Sequence, residues 1–344
     1  MSAGFEAAHA VLQAEVDAGR LAGVSCATLR HGALIDSFCT GFADLEAGVA
    51  LRPDTIHRAF SNTKLFTTVL VLMLAEHGHW QLDDAVKRWI PGFGALRVLR
   101  LGATTLDDTE PLQSDITIRQ LITHTSGLAH GVFDPDGLLY KAYFATGVRG
   151  YQTTLAEQMD LLAPLPLSSQ PGTQWEYALG IDVLARLCEI ATGQTFGDAL
   201  QTHILGPLGL VDTGFVLRPD QVPRLAALYK GDLLDPMKPG LERLDTTPWP
   251  DAYVKPVPRQ SGAGGLVSTQ ADMLALLRQL MPGQPSALLQ PATLAAMFVD
   301  QLPAHLCVQF PVPGVIPSLG FGLGGAVVRR ASSLEPPGAV GELQ

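Results

Sequence analysis

Residues 65–75 carry no charged side chain and are apolar on nearly every face of a helix. The stretch is too short to span a bilayer, which needs about 20 apolar residues. A helix that is hydrophobic all round lies in the interior of a protein. Residues 65–75 therefore predict a buried helix rather than a membrane span.

Strand-like sequence lies near both ends of the chain and encloses a mainly helical middle. Residues 23–48 alternate between apolar and polar side chains and turn at His31-Gly32, which is typical of an antiparallel hairpin. Residues 319–328 are typical of a glycine-rich strand. Between about residues 95 and 260, helical segments alternate with loops rich in proline and glycine. The clearest helical segments in the chain are 117–123, 155–162, 181–191, 196–204 and Gln270–Leu280.

This order of elements predicts an α/β (α+β) fold. We expect an antiparallel sheet, built from both ends of the chain and flanked by helices, with a mostly helical domain inserted between them. The sheet domain is expected over residues 1–94 and 262–344, and the helical domain over residues 95–261. The active site is expected between the two domains.

Composition limits the classes of partner. The chain has 344 residues, of which 47% are hydrophobic, and a net charge of −10, which argues against nucleic acid or an anionic membrane as its main partner. Its first residues lack the basic segment followed by an apolar segment that marks a secretory signal. We therefore expect a cytoplasmic protein that binds a small molecule, and a homo-oligomer is compatible with the sequence.

We expect neither a metal nor another cofactor. The only close pair of histidines, His77 and His79, has no acidic or cysteine partner at ligand spacing. The string Gly320-x-Gly322-x-x-Gly325 matches a dinucleotide-binding pattern but does not precede a long helix. Four cysteines lie far apart without C-x-x-C spacing, and we expect buried free thiols: Cys26, Cys39, Cys188 and Cys307.

Ser61 and Lys64 stand at the head of the apolar helix and allow two interpretations. Their spacing of three places both side chains on one helix face. A serine needs a neighbouring base to act as a nucleophile, and a partly buried lysine can act as that base. Ser61 could equally cap the helix beside a solvated Lys64. The apolar surroundings favour the first interpretation, because burying a lysine without a use or a partner is costly.

Four segments in order resemble the motif blocks of the serine β-lactamase superfamily. Within it, they resemble the family VIII carboxylesterases, which are similar to class C β-lactamases. No serine lies in the G-x-S-x-G pattern of the α/β-hydrolases. The segments are DTIHRAFSNTKLFTTVLVLMLAEHG (54–78), ITIRQLITHTSGLAHG (116–131), QPGTQWEYALGIDVLARLCEIATG (170–193) and SGAGGLVSTQADMLALL (261–277).

The resemblance implies a β-lactamase/transpeptidase-like fold and a serine hydrolase. It makes Ser61 the nucleophile, Lys64 its partner, and Tyr177 the tyrosine that opens the family's Y-x-N motif. A phenol beside an ammonium can accept the serine proton and return it to the leaving group. The implied reaction is acyl transfer through a covalent acyl-enzyme. His124 and Ser126, two residues apart, then belong to a structural turn.

Three further residues concern the substrate. Leu179 occupies the position of the Asn in Y-x-N, and a leucine cannot offer an amide to a lactam or peptide. This difference favours carboxylic esters over a β-lactamase or D,D-peptidase reaction, and an acyltransferase on the same scaffold stays open. Among esters, we expect short-chain acyl esters. By their positions, Trp175 and Tyr253 are expected to line the acyl pocket.

The third motif of the family, K-T-G or a counterpart, belongs to a strand near the C-terminus and supplies one oxyanion donor. After LGFGLGGAVVRR the chain continues as ASSLEPPGAVGELQ, where that strand is expected to begin. We therefore expect a truncated C-terminus. Loss of one oxyanion donor typically lowers turnover by about 10²–10³. A non-catalytic remnant with a binding role is the alternative that this expectation leaves open.

Overall fold

We describe the protein from a computed structural model that covers residues 4–130, 134–232, 235–244, 251–310, 314–330 and 341–343. The helices are α1 Glu6–Asp17, α2 Thr63–Glu76, α3 Ile118–Ile122, α4 Leu138–Ala145, α5 Leu155–Leu162, α6 Gly180–Thr192, α7 Phe196–Leu200, α8 Gly206–Leu208, α9 Gln270–Leu280 and α10 Pro291–Met297. The strands are β1 Gly23–Arg30, β2 Ala33–Asp44, β3 Val49–Ala50, β4 His57–Arg58, β5 Arg97–Leu99, β6 Thr109–Pro111, β7 Tyr229–Lys230, β8 Glu242–Arg243, β9 Val267–Ser268, β10 Val308–Phe310, β11 Gly314–Ile316, β12 Leu319–Phe321 and β13 Ala326–Val328.

The chain divides into two compact units. The domain boundaries expected from the sequence, after residues 94 and 261, remain predictions. The first unit consists of Met1–Phe60, Leu205–Pro256 and Gly265–Ala287, and the second of Ser61–Ile204, Val257–Gly264 and Leu288–Gln344.

The first unit contains the three-stranded antiparallel sheet β1-β2-β3. As predicted, β1 and β2 are joined at His31 and Gly32, whose φ values of 50° and 78° fit the left-handed turn that two-residue hairpins favour. Helices α1 and α9 pack on this sheet. Gln270 Nε2, at the start of α9, donates a 2.7 Å hydrogen bond to Ser25 Oγ on β1.

In the second unit, α2 packs against α6 and α7, and α6 also contacts α3 and α5. All but one of the side chains from Thr63 to Leu74 are buried, which confirms the buried helix predicted from residues 65–75. Helix α6 ends at Gly193, whose φ of 67° gives the left-handed C-cap that glycine adopts without strain.

Two differences from the predicted elements bear on the site. Helix α2 begins at Thr63 rather than Ser61, and the N-cap is Asn62, whose side chain makes no capping hydrogen bond. Residues 319–328 form two strands, β12 and β13, paired as an antiparallel hairpin instead of one strand. The chain reverses there because Gly324 has a φ of 111°, a conformation that residues with a side chain rarely adopt.

The four cysteines are free thiols, as predicted, but only Cys188 is buried, and the other three are half-buried. Among the described residues, we find no helix whose length and apolar character would let it cross a membrane.

Candidate active site

Ser61 lies in a short 3₁₀ turn, Phe60–Asn62, immediately before α2. The residue before it, Phe60, has a φ of 43°, which is uncommon for a residue with a bulky side chain. Such backbone conformations cost on the order of 1 kcal/mol or more and cluster at functional sites. The turn leaves Ser61 exposed at the amino end of a buried helix.

The Ser61 hydroxyl lies between two side chains that can handle protons. Tyr177 Oη donates a hydrogen bond of 2.8 Å to Ser61 Oγ. Lys64 Nζ donates another, of 3.2 Å, to the same oxygen. Lys64 Nζ also lies 4.7 Å from the centre of the Tyr177 ring. The three residues that sequence reasoning singled out therefore meet in one place within the second unit.

The Lys64 side chain is 8% exposed, which excludes the solvated lysine of the alternative interpretation. Its ammonium group is satisfied by the hydrogen bond to Ser61 Oγ and by a 2.5 Å hydrogen bond to the carbonyl oxygen of Ala263. The helix-cap interpretation of Ser61 is also wrong, because Ser61 precedes the N-cap and its hydroxyl contacts Lys64 and Tyr177 instead.

The Ala263 carbonyl is held by a loop at residues 261–264 that packs on α2 and α6. Asp182 Oδ1, in the first turn of α6, accepts hydrogen bonds from Ser261 Oγ at 2.8 Å and from Ala263 N at 3.0 Å. Thr67 Oγ1, on α2, donates to the Gly262 carbonyl at 2.8 Å. Gly262 has no space for a side chain, because a Cβ there would lie 2.7 Å from Ala185 Cβ.

The Tyr177 ring lies among aromatic neighbours. The ring of His124 is 4.7 Å from it and that of His130 is 5.5 Å from it, measured between ring centres. Burial, with Lys64 as the next contribution, lowers the pKa of His124 to about 3. Burial and the nearby Arg149 lower the pKa of His130 to about 4. Both imidazoles are therefore neutral near pH 7.

The lowered pKa of His130 predicts a pH-dependent stability. The unfolded chain binds a proton at a pKa near 6.5, whereas the folded protein resists it until about pH 4. The contribution of His130 to the free energy of unfolding is therefore fully present above pH 6.5 and is lost as the pH falls towards 4. We expect the free energy of unfolding, measured with urea at a series of pH values, to fall more steeply in the wild type than in His130→Gln. The exposed His305→Gln serves as the control, and equal slopes for wild type and His130→Gln would contradict this prediction.

A cavity of about 930 Å³ lies beside Tyr177 in the second unit. Its lining combines aromatic residues with polar and acidic side chains, a mixture common in small-molecule sites. The lining residues that lie within the motif segments are Ala129, His130, Gln170, Thr173, Gln174, Trp175, Glu176 and Tyr177.

The structure places the three residues expected at the substrate in different environments. Trp175 is buried, lines the cavity and packs on Phe310 at 5.3 Å between ring centres. Leu179 is buried at the N-cap of α6. Tyr253 is buried in the core of the first unit with Ile56, Leu217, Ala252 and Val267.

Ser126 is buried, and its Oγ accepts a hydrogen bond from Leu128 N at 3.3 Å, within a local turn. The segment where the third motif was expected to begin lies mainly outside the described residues, at 331–340 and 344.

Sequence reasoning missed three contributors to the site: the Ala263 carbonyl, the Asp182 carboxylate and the ring of His124. The first is a backbone atom, for which side-chain identity gives no signal. Asp182 lies within the motif segment 170–193, in which the resemblance points to Tyr177 alone. His124 lies within the segment 116–131, where the resemblance implies a structural turn.

Another cluster, in the first unit, joins His9, Cys26 and Asp36, whose potential ligand atoms lie within 4.8 Å of one another. His9 Nε2 is hydrogen-bonded to Asp36 Oδ2 at 2.8 Å. Two ligands at bond lengths of about 2.0–2.1 Å around a tetrahedral zinc lie roughly 3.3 Å apart. The observed arrangement is that of a buried pair that ties α1 to β2.

The geometry around Ser61 suits acyl transfer. A hydroxyl that touches a phenol and an ammonium can lose its proton as it attacks a carbonyl carbon. The start of α2 favours the negative charge that develops during the attack. The neighbouring cavity offers space for the groups attached to the carbonyl.

Comparisons with known proteins agree with this chemistry. A protein-family model described as beta-lactamase matches residues 8–341. Esterase EstB of Burkholderia gladioli is 33% identical over 340 residues, which cover 94% of this chain and 80% of EstB. Among solved structures, EstCE1, described as a hydrolase with promiscuous acyltransferase activity, has a TM-score of 0.81 at 29% identity and covers 98% of this chain and 86% of its own. Simvastatin synthase (LovD) from Aspergillus terreus has a TM-score of 0.79 at 27% identity and covers 99% of this chain and 87% of its own.

These matches extend over nearly the whole chain and confirm the predicted fold class, with its small antiparallel sheets and flanking helices. The range that the family model matches includes all four sequence blocks. The chain therefore belongs to the beta-lactamase family and is a serine β-lactamase-like hydrolase, on the scaffold that these esterases and acyltransferases share.

Proposed function

We propose that this protein is a carboxylesterase that cleaves carboxylic esters, short-chain acyl esters first among them, through an acyl-enzyme on Ser61. One observation carries the proposal: Ser61 Oγ lies 2.8 Å from Tyr177 Oη and 3.2 Å from Lys64 Nζ. The nucleophile already lies at hydrogen-bond distance from the tyrosine oxygen that exchanges its proton and from the lysine nitrogen beside it, which is the geometric requirement for this chemistry.

In the first half-reaction, Ser61 Oγ forms a bond to the ester carbonyl carbon. Its proton passes to the oxygen of Tyr177, which accepts it in the phenolate form; in that form the 2.8 Å hydrogen bond runs from Ser61 Oγ to Tyr177 Oη, and Lys64 Nζ lies 4.7 Å from the centre of the phenolate ring. When the tetrahedral intermediate collapses, the bond from carbon to the alcohol oxygen breaks. Tyr177 then returns the proton to that oxygen, and the alcohol leaves.

In the second half-reaction, a water molecule attacks the acyl carbon. Tyr177 accepts a proton from the water, the bond between carbon and Ser61 Oγ breaks, and the proton returns to Ser61. The carboxylic acid is released and the site is restored. The Ala263 carbonyl holds the Lys64 side chain in place throughout.

Leu179 supports an ester substrate over a lactam or peptide. The family's Y-x-N motif places an amide two residues after the tyrosine, and here that position holds a buried leucine. A substrate amide left without this partner loses about 1–3 kcal/mol of binding, or roughly 10- to 100-fold in rate. Hydrolysis of β-lactams or D,D-peptides is therefore the weaker alternative.

Transfer of the acyl group to an alcohol other than water is a second candidate function. It is supported by the similarity to EstCE1 and to simvastatin synthase, whose descriptions include acyl transfer or synthesis. It needs the same acyl-enzyme and differs only in the acceptor. Added primary alcohols that yield a new ester, at the expense of free acid, would identify this activity.

A panel of p-nitrophenyl esters from short to long acyl chains tests the proposed function. We expect p-nitrophenyl butyrate to be cleaved at least about 10-fold faster than nitrocefin, because Leu179 cannot pair with the lactam's amide. Ser61→Ala, Lys64→Ala and Tyr177→Phe serve as controls for background hydrolysis. Comparable rates for the two substrates would favour a β-lactamase instead. No turnover, together with no labelling of Ser61 by a fluorophosphonate, would favour a binding role.

A further inference from the structure

His124 holds the chain on both sides of Tyr177. The backbone N–H of Glu176 donates to the His124 carbonyl oxygen at 2.9 Å. The backbone N–H of Ala178 donates to His124 Nδ1 at 3.1 Å. One residue thus accepts hydrogen bonds from the backbone N–H groups of the residues immediately before and after the tyrosine.

The backbone of His124 has an uncommon conformation. Its φ is 58°, in the left-handed region that few residues with a side chain adopt. A non-glycine residue kept in this region costs on the order of 1 kcal/mol and persists where the surroundings impose it. Here the carbonyl oxygen and the ring nitrogen Nδ1 of His124 both accept hydrogen bonds from the Glu176–Ala178 segment.

The ring of His124 also packs on the phenol itself. Its centre is 4.7 Å from that of Tyr177, with an interplanar angle of 32°. Trp175 and Phe321 meet the imidazole edge-on, at 5.9 Å and 5.3 Å between ring centres. These contacts fix the plane of the imidazole and give Tyr177 a rigid surface on one side.

We propose that His124 is the positioning residue that aims the Tyr177 hydroxyl at Ser61. The inference rests on the proposed function, in which Tyr177 exchanges protons with Ser61. His124 acts through the Tyr177 backbone and ring. Its own ring nitrogen Nδ1 is occupied by the Ala178 N–H.

This role requires a neutral imidazole, since a protonated ring would present N–H donors at both nitrogens and could not accept from Ala178. The side chain is 2% exposed, and burial keeps the pKa of His124 far below neutrality. The accepting form is therefore the one present at the pH values where esterases are assayed.

The test is a double-mutant cycle that measures the rate at which a fluorophosphonate labels Ser61, followed by intact mass. His124→Asn keeps an acceptor near the Nδ1 position and tolerates a positive φ, whereas His124→Gly tolerates the same φ without an acceptor. His124→Phe supplies a second variant without an acceptor that keeps a ring. Each His124 variant is made both in the wild-type background and in combination with Tyr177→Phe. Thermal unfolding then identifies the variants that fold.

With Tyr177 present, we expect His124→Gly or His124→Phe to slow labelling about 10-fold and His124→Asn to stay within about 3-fold of wild type, as the loss of one hydrogen bond predicts. In the Tyr177→Phe background, the same changes should slow labelling less than about 2-fold, because there is no hydroxyl left to aim. Equal losses in both backgrounds, or unchanged labelling in the variants without an acceptor, would overturn the positioning role. If Tyr177→Phe alone leaves labelling unchanged, the proposed function fails instead.

Discussion

Ser61→Ala is expected to remove ester hydrolysis, lowering kcat by on the order of 10⁵-fold or more. Loss of the nucleophile in a serine hydrolase costs about as much as loss of all its catalytic partners together, because they act as a unit. Ser61 Oγ is the atom to which both Lys64 Nζ and Tyr177 Oη donate hydrogen bonds. When this oxygen is removed, neither side chain has a nucleophile in contact with it.

The stability of this variant should stay near that of the wild type. Ser61 is exposed, and its hydroxyl does not cap α2, whose N-cap is Asn62. Initial rates on p-nitrophenyl butyrate and urea unfolding measure the two effects separately. Ser37→Ala, at an exposed position of β2, is the matched control and should keep wild-type rates. Unchanged hydrolysis by Ser61→Ala would remove Ser61 from the mechanism.

Much of the fold was predictable because it depends on local patterns. The apolar residues of α2 leave only a buried position for this helix, and His31-Gly32 allows only a tight turn between β1 and β2. Other pairings depend on distant partners. The two-residue strands β4 and β9 pair across more than half of the chain and have no pattern of their own.

The candidate site was predictable to a different degree for each residue. The spacing of Ser61 and Lys64 places them together on any helix, but the same spacing suits a cap and a surface lysine. Tyr177 is 116 positions from Ser61 and could be connected to it only through the family resemblance. The roles of Ala263 and His124 depend on backbone atoms and a left-handed φ, which the sequence does not encode by residue type.

Asp182 is the second residue whose loss should have a large effect. Its carboxylate is 4% exposed and accepts hydrogen bonds from Ser261 Oγ, Ala263 N and, through the other oxygen at 3.3 Å, Gln158 Nε2. It joins α6 to the loop whose carbonyl holds Lys64. Removing a buried carboxylate from such a network leaves its donors unpaired in a region that water does not reach.

Asp182→Ala is therefore expected to lower the free energy of unfolding by about 3 kcal/mol, since three donors lose their acceptor and each buried donor left unsatisfied typically costs about 1–3 kcal/mol. Because Ala263 then loses its anchor and Lys64 its fixed acceptor, we also expect kcat to fall about 10-fold or more, with KM nearly unchanged. Asp182→Asn keeps one acceptor oxygen for Ser261 and Ala263, and we expect it to lower the free energy of unfolding and kcat less than Asp182→Ala does.

Asp160→Ala, at an exposed position of α5, is the control and should stay within about 0.5 kcal/mol of wild type. Urea unfolding and steady-state rates on p-nitrophenyl butyrate give the two quantities. An Asp182→Ala variant with wild-type kcat, whatever its stability, would show that the loop at residues 261–264 keeps the Ala263 carbonyl on Lys64 without Asp182. Thr67, whose hydroxyl donates to the Gly262 carbonyl, would then be the anchor that remains.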